Sequence, residues 1–352
     1  MGLEVHCFAW KDGAVCADYA DYFYPISTID KEAILKECQR IDIDGIVSIA
    51  SDVAVPTVNY VASKMHLNGN DYAYSDIVTN KIEMRKCFKK NNIPSPKFCL
   101  AKSIDDIESI EGMQFPLIVK PTDRSGSRGV EEVEHLEELN EAIGRAINES
   151  FSNEAIVEEF VGGREVSVES ISWLGNHYIL QITDKVTTGA PFFVELAHHQ
   201  PSSLPIDIQH RIKDIVLKAL DALHIKYGAS HSELKITDSG DIKVIEIGAR
   251  MGGDFIGSNL VKLSTGYDFL KGVIEVALGE FHTPVLNRKM FSGVYFLSKE
   301  TEYLKAIIDH KDDFPEIVKA KITSPELKHI ECSGDRSGYL VYQSANGKLK
   351  LS

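Results

Sequence analysis

The chain has 352 residues, enough for two or three domains at roughly 100–200 residues each, and its hydrophobic (43%) and charged (26%) fractions are ordinary for a globular protein. Lys plus Arg number 38 against 52 Asp plus Glu, a net charge of −14 that argues against a polyanion such as nucleic acid or an anionic membrane as the main partner. No run approaches 18 apolar residues, the first ten carry no secretory pattern, and the six cysteines form no CxxC pair, so reduced thiols in a cytoplasmic protein are expected. In chain order, residues 4–9 read as a strand, 30–40 as a helix capped by Asp30 with Ile34 and Cys38 on one face, 45–50 as a buried strand and 56–66 as a helix. This alternation predicts a small parallel sheet with crossover helices. One helix is expected from residue 75 or 76 through Lys90, ending before a linker marked by Pro94 and Pro96. A strand at 115–120, a Gly/Ser-rich loop at 122–129 and an acidic helix at 134–148 follow. Strands are expected at 155–161, 165–172 and 178–186, a helix at 207–223, strands at 229–237 and 243–247, and helices at 255–263 and 268–278. The last seventy or so residues read as a small mixed α/β piece.

Asp238-Ser239-Gly240-Asp241 is a turn signal between two β-rich runs. A two- or four-residue loop centred between Ser239 and Gly240 sets Glu233 opposite Glu246, with Cβ atoms about 5 Å apart. A loop of three or five residues would break that register. Facing carboxylates repel, so the pair is either solvated or shares a hard cation such as Mg²⁺. Arg250, four residues beyond Glu246, suits bidentate binding of a carboxylate or phosphate, and Gly252 and Gly253 permit close backbone approach. Lys120 closes an apolar strand ahead of Arg124, Ser125, Gly126, Ser127 and Arg128. That composition fits a mobile lid over phosphates or a flexible surface loop; neither GxxxxGK[ST] nor GxGxxG is present.

Taken in order, Lys81, Lys120 with its loop, the run from Glu158 to Glu169, and Glu233 with Glu246 and Arg250 resemble the ATP-grasp superfamily of carboxylate–amine ligases. The resemblance covers most of the chain. It implies an α/β fold: a two-lobed ATP-grasp clamp (residues 79–280), an N-terminal Rossmann-like domain (1–78) and a small C-terminal subdomain (281–352). It implies that Lys81 and Lys120 contact the nucleotide phosphates, although Lys81 alone reads as an exposed helix lysine. Arg124, Ser125, Ser127 and Arg128 match the phosphate lid. Glu158, Glu159, Phe160 and Val161 match the hinge that binds adenine through backbone groups, and Glu165 the carboxylate on the ribose hydroxyls. Glu233 and Glu246 match the magnesium ligands. Many relatives carry a metal-binding Asn two residues after the second Glu; here that residue is Gly248, which also speaks against a D-alanine–D-alanine ligase.

The spacing of Glu195 and His198, followed by Arg250, resembles the bacterial L-amino-acid ligases that make dipeptides. There Glu195 and His198 would place the amino-acid substrate and Arg250 would hold its carboxylate or the acyl phosphate, with Gly252 and Gly253 beside it; a structural Glu and His in a loop is the plainer alternative. The resemblance implies an ATP-dependent carbon–nitrogen ligase with Lys120 and Arg250 catalytic, ATP and Mg²⁺ (or Mn²⁺) as cofactors and small carboxylate and amine substrates. It also implies a homodimer, and neither nucleic acid nor membrane as partner. Carboxylases, carbamoyl-phosphate synthases and kinases share the fold, and a non-catalytic nucleotide-binding protein is a further alternative. In the family a strand and helix precede a strand of the type Gly-Leu-Glu-Val. Here Gly2-Leu3-Glu4-Val5 follows Met1 directly, so the first β-α unit is expected to be missing, leaving an unpaired sheet edge and an exposed apolar face.

Overall fold

The computed structural model describes residues 1–351 apart from 104, 106, 108, 109, 125 and 127. Near the N-terminus, β1 (His6–Phe8) and β2 (Tyr22–Tyr24) form a two-stranded parallel sheet. Helix α1 (Lys31–Ile41) starts where the Asp30 carboxylate accepts the Ala33 N–H, and it buries Ile34 and Cys38 against Val61 of α2 (Val55–Met65). The strand expected at 45–50 does not form. Ile43 and Ile46 pack on that same helix pair, but their backbone joins no ladder, and the parallel partner of β1 is the earlier β2. Leu3, Val5, Trp10, Val15, Tyr19 and Tyr22 are exposed around this sheet.

The helix expected from 75 to 90 is two helices, α3 (Ser75–Thr79) and α4 (Lys81–Lys90). Asn80 adopts extended backbone angles and its side-chain oxygen accepts the N–H groups of Ile82 and Glu83, so the chain restarts a capped helix with Lys81 at its first position. One lobe follows: β3 (Phe98–Ala101), β4 (Leu117–Pro121), β5 (Glu131–Val133) and β6 (Ala155–Glu159) form a sheet in the order β3-β6-β4-β5, covered by α5 (Leu136–Glu149).

The other lobe is an eight-stranded sheet in the order β11-β10-β7-β8-β9-β12-β14-β13. Its strands are β7 (Arg164–Trp173), β8 (Asn176–Thr187), β9 (Glu195–Gln200), β10 (Gly228–Ile236), β11 (Ile242–Gly248), β12 (Phe291–Leu297), β13 (Ile317–Ile322) and β14 (Gly338–Ser344). Helix α6 (Ile206–Ala222) packs Ile212, Val216, Ala219 and Leu220 against this sheet in the largest apolar core. A π-helical turn (Ile256–Leu260) leads into α7 (Val261–Thr265), followed by α8 (Phe269–Leu278) and, later, α9 (Leu304–Asp309). Residues 281–352, read as a small mixed α/β piece, contribute α9 and add β12, β13 and β14 to this sheet next to β9.

His199 on β9 is buried with its Nδ1 3.0 Å from the Tyr342 hydroxyl. Burial first, then Lys348 and His198, push its pKa down to about 2. A histidine neutral when folded and ordinary when unfolded stabilises the protein above the unfolded pKa of about 6.5 and loses that contribution as pH falls. Denaturation titrations at pH 6.5 and 5 should therefore show wild type losing stability with a slope up to about 1.4 kcal/mol per pH unit steeper than His199→Gln.

Candidate active site

Between the two lobes lies a cleft of about 430 Å³, lined by residues of both sheets and by Ala50 and Asp52 of the N-terminal region. Glu233 and Glu246 are direct partners across β10 and β11. Their register arises otherwise than the turn alone suggests. The loop between Ile236 and Ile242 has five residues, which puts Leu234 opposite Val244, and a β-bulge then shifts the register so that Glu233 meets Glu246. The extra residue is Ile245, whose carbonyl accepts Arg85 Nη2 at 2.6 Å.

Each carboxylate has a lysine beside it. Lys81 Nζ lies 3.0 Å from Glu246 Oε1 and donates to the Arg124 carbonyl at 2.6 Å. Lys185 Nζ lies 2.9 Å from Glu233, 2.7 Å from Glu165 and 3.4 Å from Glu195. Burial opposes its charge, but the three carboxylates outweigh burial and hold its pKa well above the ordinary lysine value. One buried ammonium thus joins the carboxylates that the resemblance assigned to ribose, metal and substrate. Glu233 also faces His231 Nε2 at 3.2 Å, and His231 Nδ1 lies 2.6 Å from buried Glu169. Against burial, these carboxylates push the imidazole pKa up to about 9.

Lys120 lines the cleft with its Nζ 2.7 Å from Glu158, whose other oxygen pairs with Arg85 Nε at 2.7 Å. Burial lowers the Lys120 pKa in spite of Glu158, whereas the two cations hold Glu158 below the usual carboxylate range against its own desolvation. In the segment after Glu158, the N–H groups of Glu159 and Phe160 donate to the carbonyls of Lys97 and Pro116. Val161 lines the cleft, and its amide has no partner among the described residues. Phe160 stands opposite Phe193, with Lys235 Nζ 5.0 and 5.5 Å from the two ring centres. Arg124 and Arg128 line the cleft; the Arg124 guanidinium lies 3.7 Å from the Phe151 ring centre, and its Nε donates to the Glu149 carbonyl. Ser125 and Ser127 lie outside the described residues.

Glu195 and His198 also line the cleft and stand on β9, so the segment read as a loop is an interior strand of the large sheet. Arg336, from the C-terminal part and not itself among the lining residues, lies 3.0 Å from the Glu195 carboxylate and 2.7 Å from Asp254. His198 Nε2 is 3.6 Å from Asp254, while its buried Nδ1 has no hydrogen-bond partner among the described residues. Gly253 lines the cleft, but Gly252 is not among its lining residues: its N–H donates to Glu169 at 3.0 Å, and a Cβ there would stand 2.8 Å from His231 Nδ1. Arg250 lies beside the glutamate pair with its guanidinium bound bidentately by Asp52 at 2.7 and 2.8 Å.

Lys185, His231, Arg336, Asp254 and Asp52 are absent from the sequence-based set. Lys185 had a visible signal, a charged residue inside an otherwise strand-forming run, and His231 stands two residues from Glu233 on the same strand face; Arg336, Asp254 and Asp52 are joined to their partners by contacts over distances in sequence that no local spacing reveals.

Residues 113–258 match the model of the ATP-grasp domain. The chain carries an ATP-grasp domain. The alanine–anticapsin ligase of Bacillus subtilis (strain 168) is 25% identical over 268 residues, covering 70% of this chain and 56% of that protein. The D-alanine–D-alanine ligase of Flavobacterium johnsoniae is 26% identical over 253 residues, covering 68% of this chain and 76% of that protein. The chain spans about half the length of several curated relatives it matches. Among solved structures, L-amino acid ligase from Bacillus licheniformis superposes with a TM-score of 0.81 at 24% identity, covering 98% of this chain and 88% of that one. An N5-carboxyaminoimidazole synthetase from Staphylococcus aureus complexed with ADP gives 0.78 at 16% identity, covering 99% and 88%. These likenesses establish the fold: two lobes closing on a cleft, behind an N-terminal α/β region. No helix among the described residues is long and apolar enough to cross a membrane.

Proposed function

We propose that this chain is an ATP-dependent carboxylate–amine ligase that joins amino acids or closely similar metabolites. The observation that carries this reading is one cleft holding two sets of groups. Lys81, Lys120, Arg124 and Arg128 line it together with the paired Glu233 and Glu246; Glu195, His198, Asp254 and Arg250 line the same cleft, Glu195 joined to Glu233 through Lys185, with Arg336 bonded to Glu195 and Asp254 from behind the lining. A nucleotide's phosphates fit the first set and a zwitterionic amino acid the second, which presents both signs of charge.

Glu233 and Glu246 fit a magnesium ion. They are hard oxygen donors paired on one face, and Mg²⁺ is ordinarily held by one or two carboxylates plus substrate phosphates. Gly248 stands where many relatives carry a metal-binding Asn, so coordination leans on the two glutamates and the phosphates. Bound there, the ion would neutralise charge on the transferring phosphoryl group. Lys81 and Lys185, now on the glutamates, are placed to turn toward phosphate oxygens. Val161 N–H offers a backbone donor for adenine, and Glu165 an acceptor for ribose hydroxyls.

In the reaction, a substrate carboxylate oxygen attacks the γ-phosphorus of ATP and ADP leaves. The amine of the second substrate then attacks the acyl phosphate carbonyl, a proton leaves the nitrogen, and phosphate is expelled. Lys120 and Arg250 stabilise the oxygens on which negative charge grows. Residues 122–129 would close over the phosphates and keep water from the acyl phosphate. The reading also places the protein in the cytoplasm, where ATP is present and its cysteines stay reduced.

The test is incubation with Mg-ATP and the twenty amino acids in pairs, with phosphate release and dipeptide mass measured. Phosphate with a matching dipeptide supports the ligase. A stable phosphorylated metabolite without ligation would identify a kinase, bicarbonate-dependent phosphate release a carboxylase, and nucleotide binding without turnover of any pair a binding protein.

A further inference from the structure

The Arg250 guanidinium has five N–H groups, and the structure accounts for three. Nε and one Nη2 proton go to the two oxygens of Asp52 at 2.8 and 2.7 Å, and one Nη1 proton goes to the Met251 carbonyl at 3.1 Å. The two that remain sit on Nη1 and Nη2, away from the Nε–Nη2 edge that Asp52 holds. Asp52 belongs to the N-terminal region, 198 residues away in sequence. A second bond fastens the same two segments: Met251 N–H donates to the Ile49 carbonyl at 3.0 Å. Arg250, Asp52 and Gly248 all line the cleft.

Gly248 belongs to the same arrangement. It ends β11, two residues beyond Glu246, with a backbone that any residue adopts. A Cβ there would stand 2.8 Å from Asp52 Oδ1 and 3.1 Å from Arg250 Nε. What requires glycine is space, and the ion pair fills it.

We propose that Asp52 is the positioning residue for Arg250. By gripping one edge of the guanidinium it turns the other edge toward the substrate oxygens, so the N-terminal region sets the aim of a catalytic group on the ATP-grasp domain. Asp52 acts through Arg250 and needs no contact with nucleotide or substrate. The inference rests on the ligase reading for what Arg250 faces, and on the Asp52 ion pair alone for what holds it.

The experiment compares Asp52→Ala, Asp52→Asn, Gly248→Asn, Arg250→Ala and the double variant Asp52→Ala/Arg250→Ala in the full chain. Turnover is followed as phosphate release with the most active amino-acid pair, and MgATP affinity by calorimetry reports the fold and nucleotide site. Asp52→Ala should lower kcat by about 10²-fold, the scale of a misplaced catalytic group, with MgATP affinity within about twofold of wild type. Asp52→Asn, which keeps one acceptor, should fall between. Gly248→Asn should resemble Asp52→Ala because the new side chain displaces the carboxylate. Asp52→Ala should add nothing in the Arg250→Ala background. Multiplicative losses in the double variant, or MgATP affinity falling in step with kcat, would overturn the proposal. If wild type releases no phosphate with any pair, the ligase reading fails, and the positioning role is read by titrating inorganic phosphate onto the Mg-ADP form. There Asp52→Ala should weaken phosphate as much as Arg250→Ala does, and unchanged phosphate affinity in Asp52→Ala would sink it.

Discussion

Glu246→Ala should lower magnesium-dependent phosphate release by more than about 10²-fold while the chain stays folded. Loss of an outer-sphere partner of a metal ligand already costs about 10–100-fold, and Glu246 is assigned to the ion itself. The structural cost is small because the Glu246 side chain is partly exposed and Lys81 keeps its bond to the Arg124 carbonyl. Glu233, held by Lys185 and His231, cannot by itself supply a second protein oxygen from the facing strand. Steady-state phosphate release over a range of Mg²⁺ concentrations, with a melting curve for each protein, checks both halves. Turnover near the wild-type level would show that the metal assignment is wrong.

Glu158→Ala should be the most destabilising single change at the site, by about 3–5 kcal/mol. The carboxylate sits between Arg85, which is 0% exposed, and Lys120, which is 6% exposed. Removing it leaves two like charges buried together, and breaking a buried ion pair from one side costs more than the pair contributes when intact. Because Lys120 loses its anchor, MgATP affinity should fall in the same variant. Urea denaturation of Glu158→Ala and Glu158→Gln gives the measurement. A loss under about 1 kcal/mol in both would show that Arg85 and Lys120 are solvated or otherwise compensated in solution.

Much of the fold was legible because its signals are local. Asp30 marks a helix start by its own hydrogen bond, and the apolar faces of α1, α2 and α6 repeat at helical spacing. Strand and helix look alike in an apolar run whose partner is elsewhere, which is why 45–50 misled: Ile43 and Ile46 are buried by helices, not by a ladder. The break at Asn80 shows a cap overruling a continuous helical pattern. β9 was hidden because its polar residues serve the cleft and its buried histidine, not a solvated face. At the site, residues close in sequence to a turn or a strand end could be picked out. Lys185 could have been, since a lysine in a buried strand needs a carboxylate. Asp52 with Arg250 and Arg336 with Asp254 could not, because each joins segments that only folding brings together.

The bulge at Ile245 bears on how this hairpin tolerates change. The strand segment from Glu246 to Gly248 is referenced to the body of the protein, through Arg85 on the Ile245 carbonyl, Pro94 on the Val244 amide and Met84 Sδ on the Ile247 amide. Ile242, Lys243 and the tip at 237–241 are referenced to the turn. The bulge lets these two frames be out of step by one residue without either yielding. Residues can therefore be gained or lost at the tip while the facing glutamates stay where they are, and the hairpin end is a natural place for insertion, tagging or drift in length. Arg85, which looks like a remote core residue, is the pin that decouples the two.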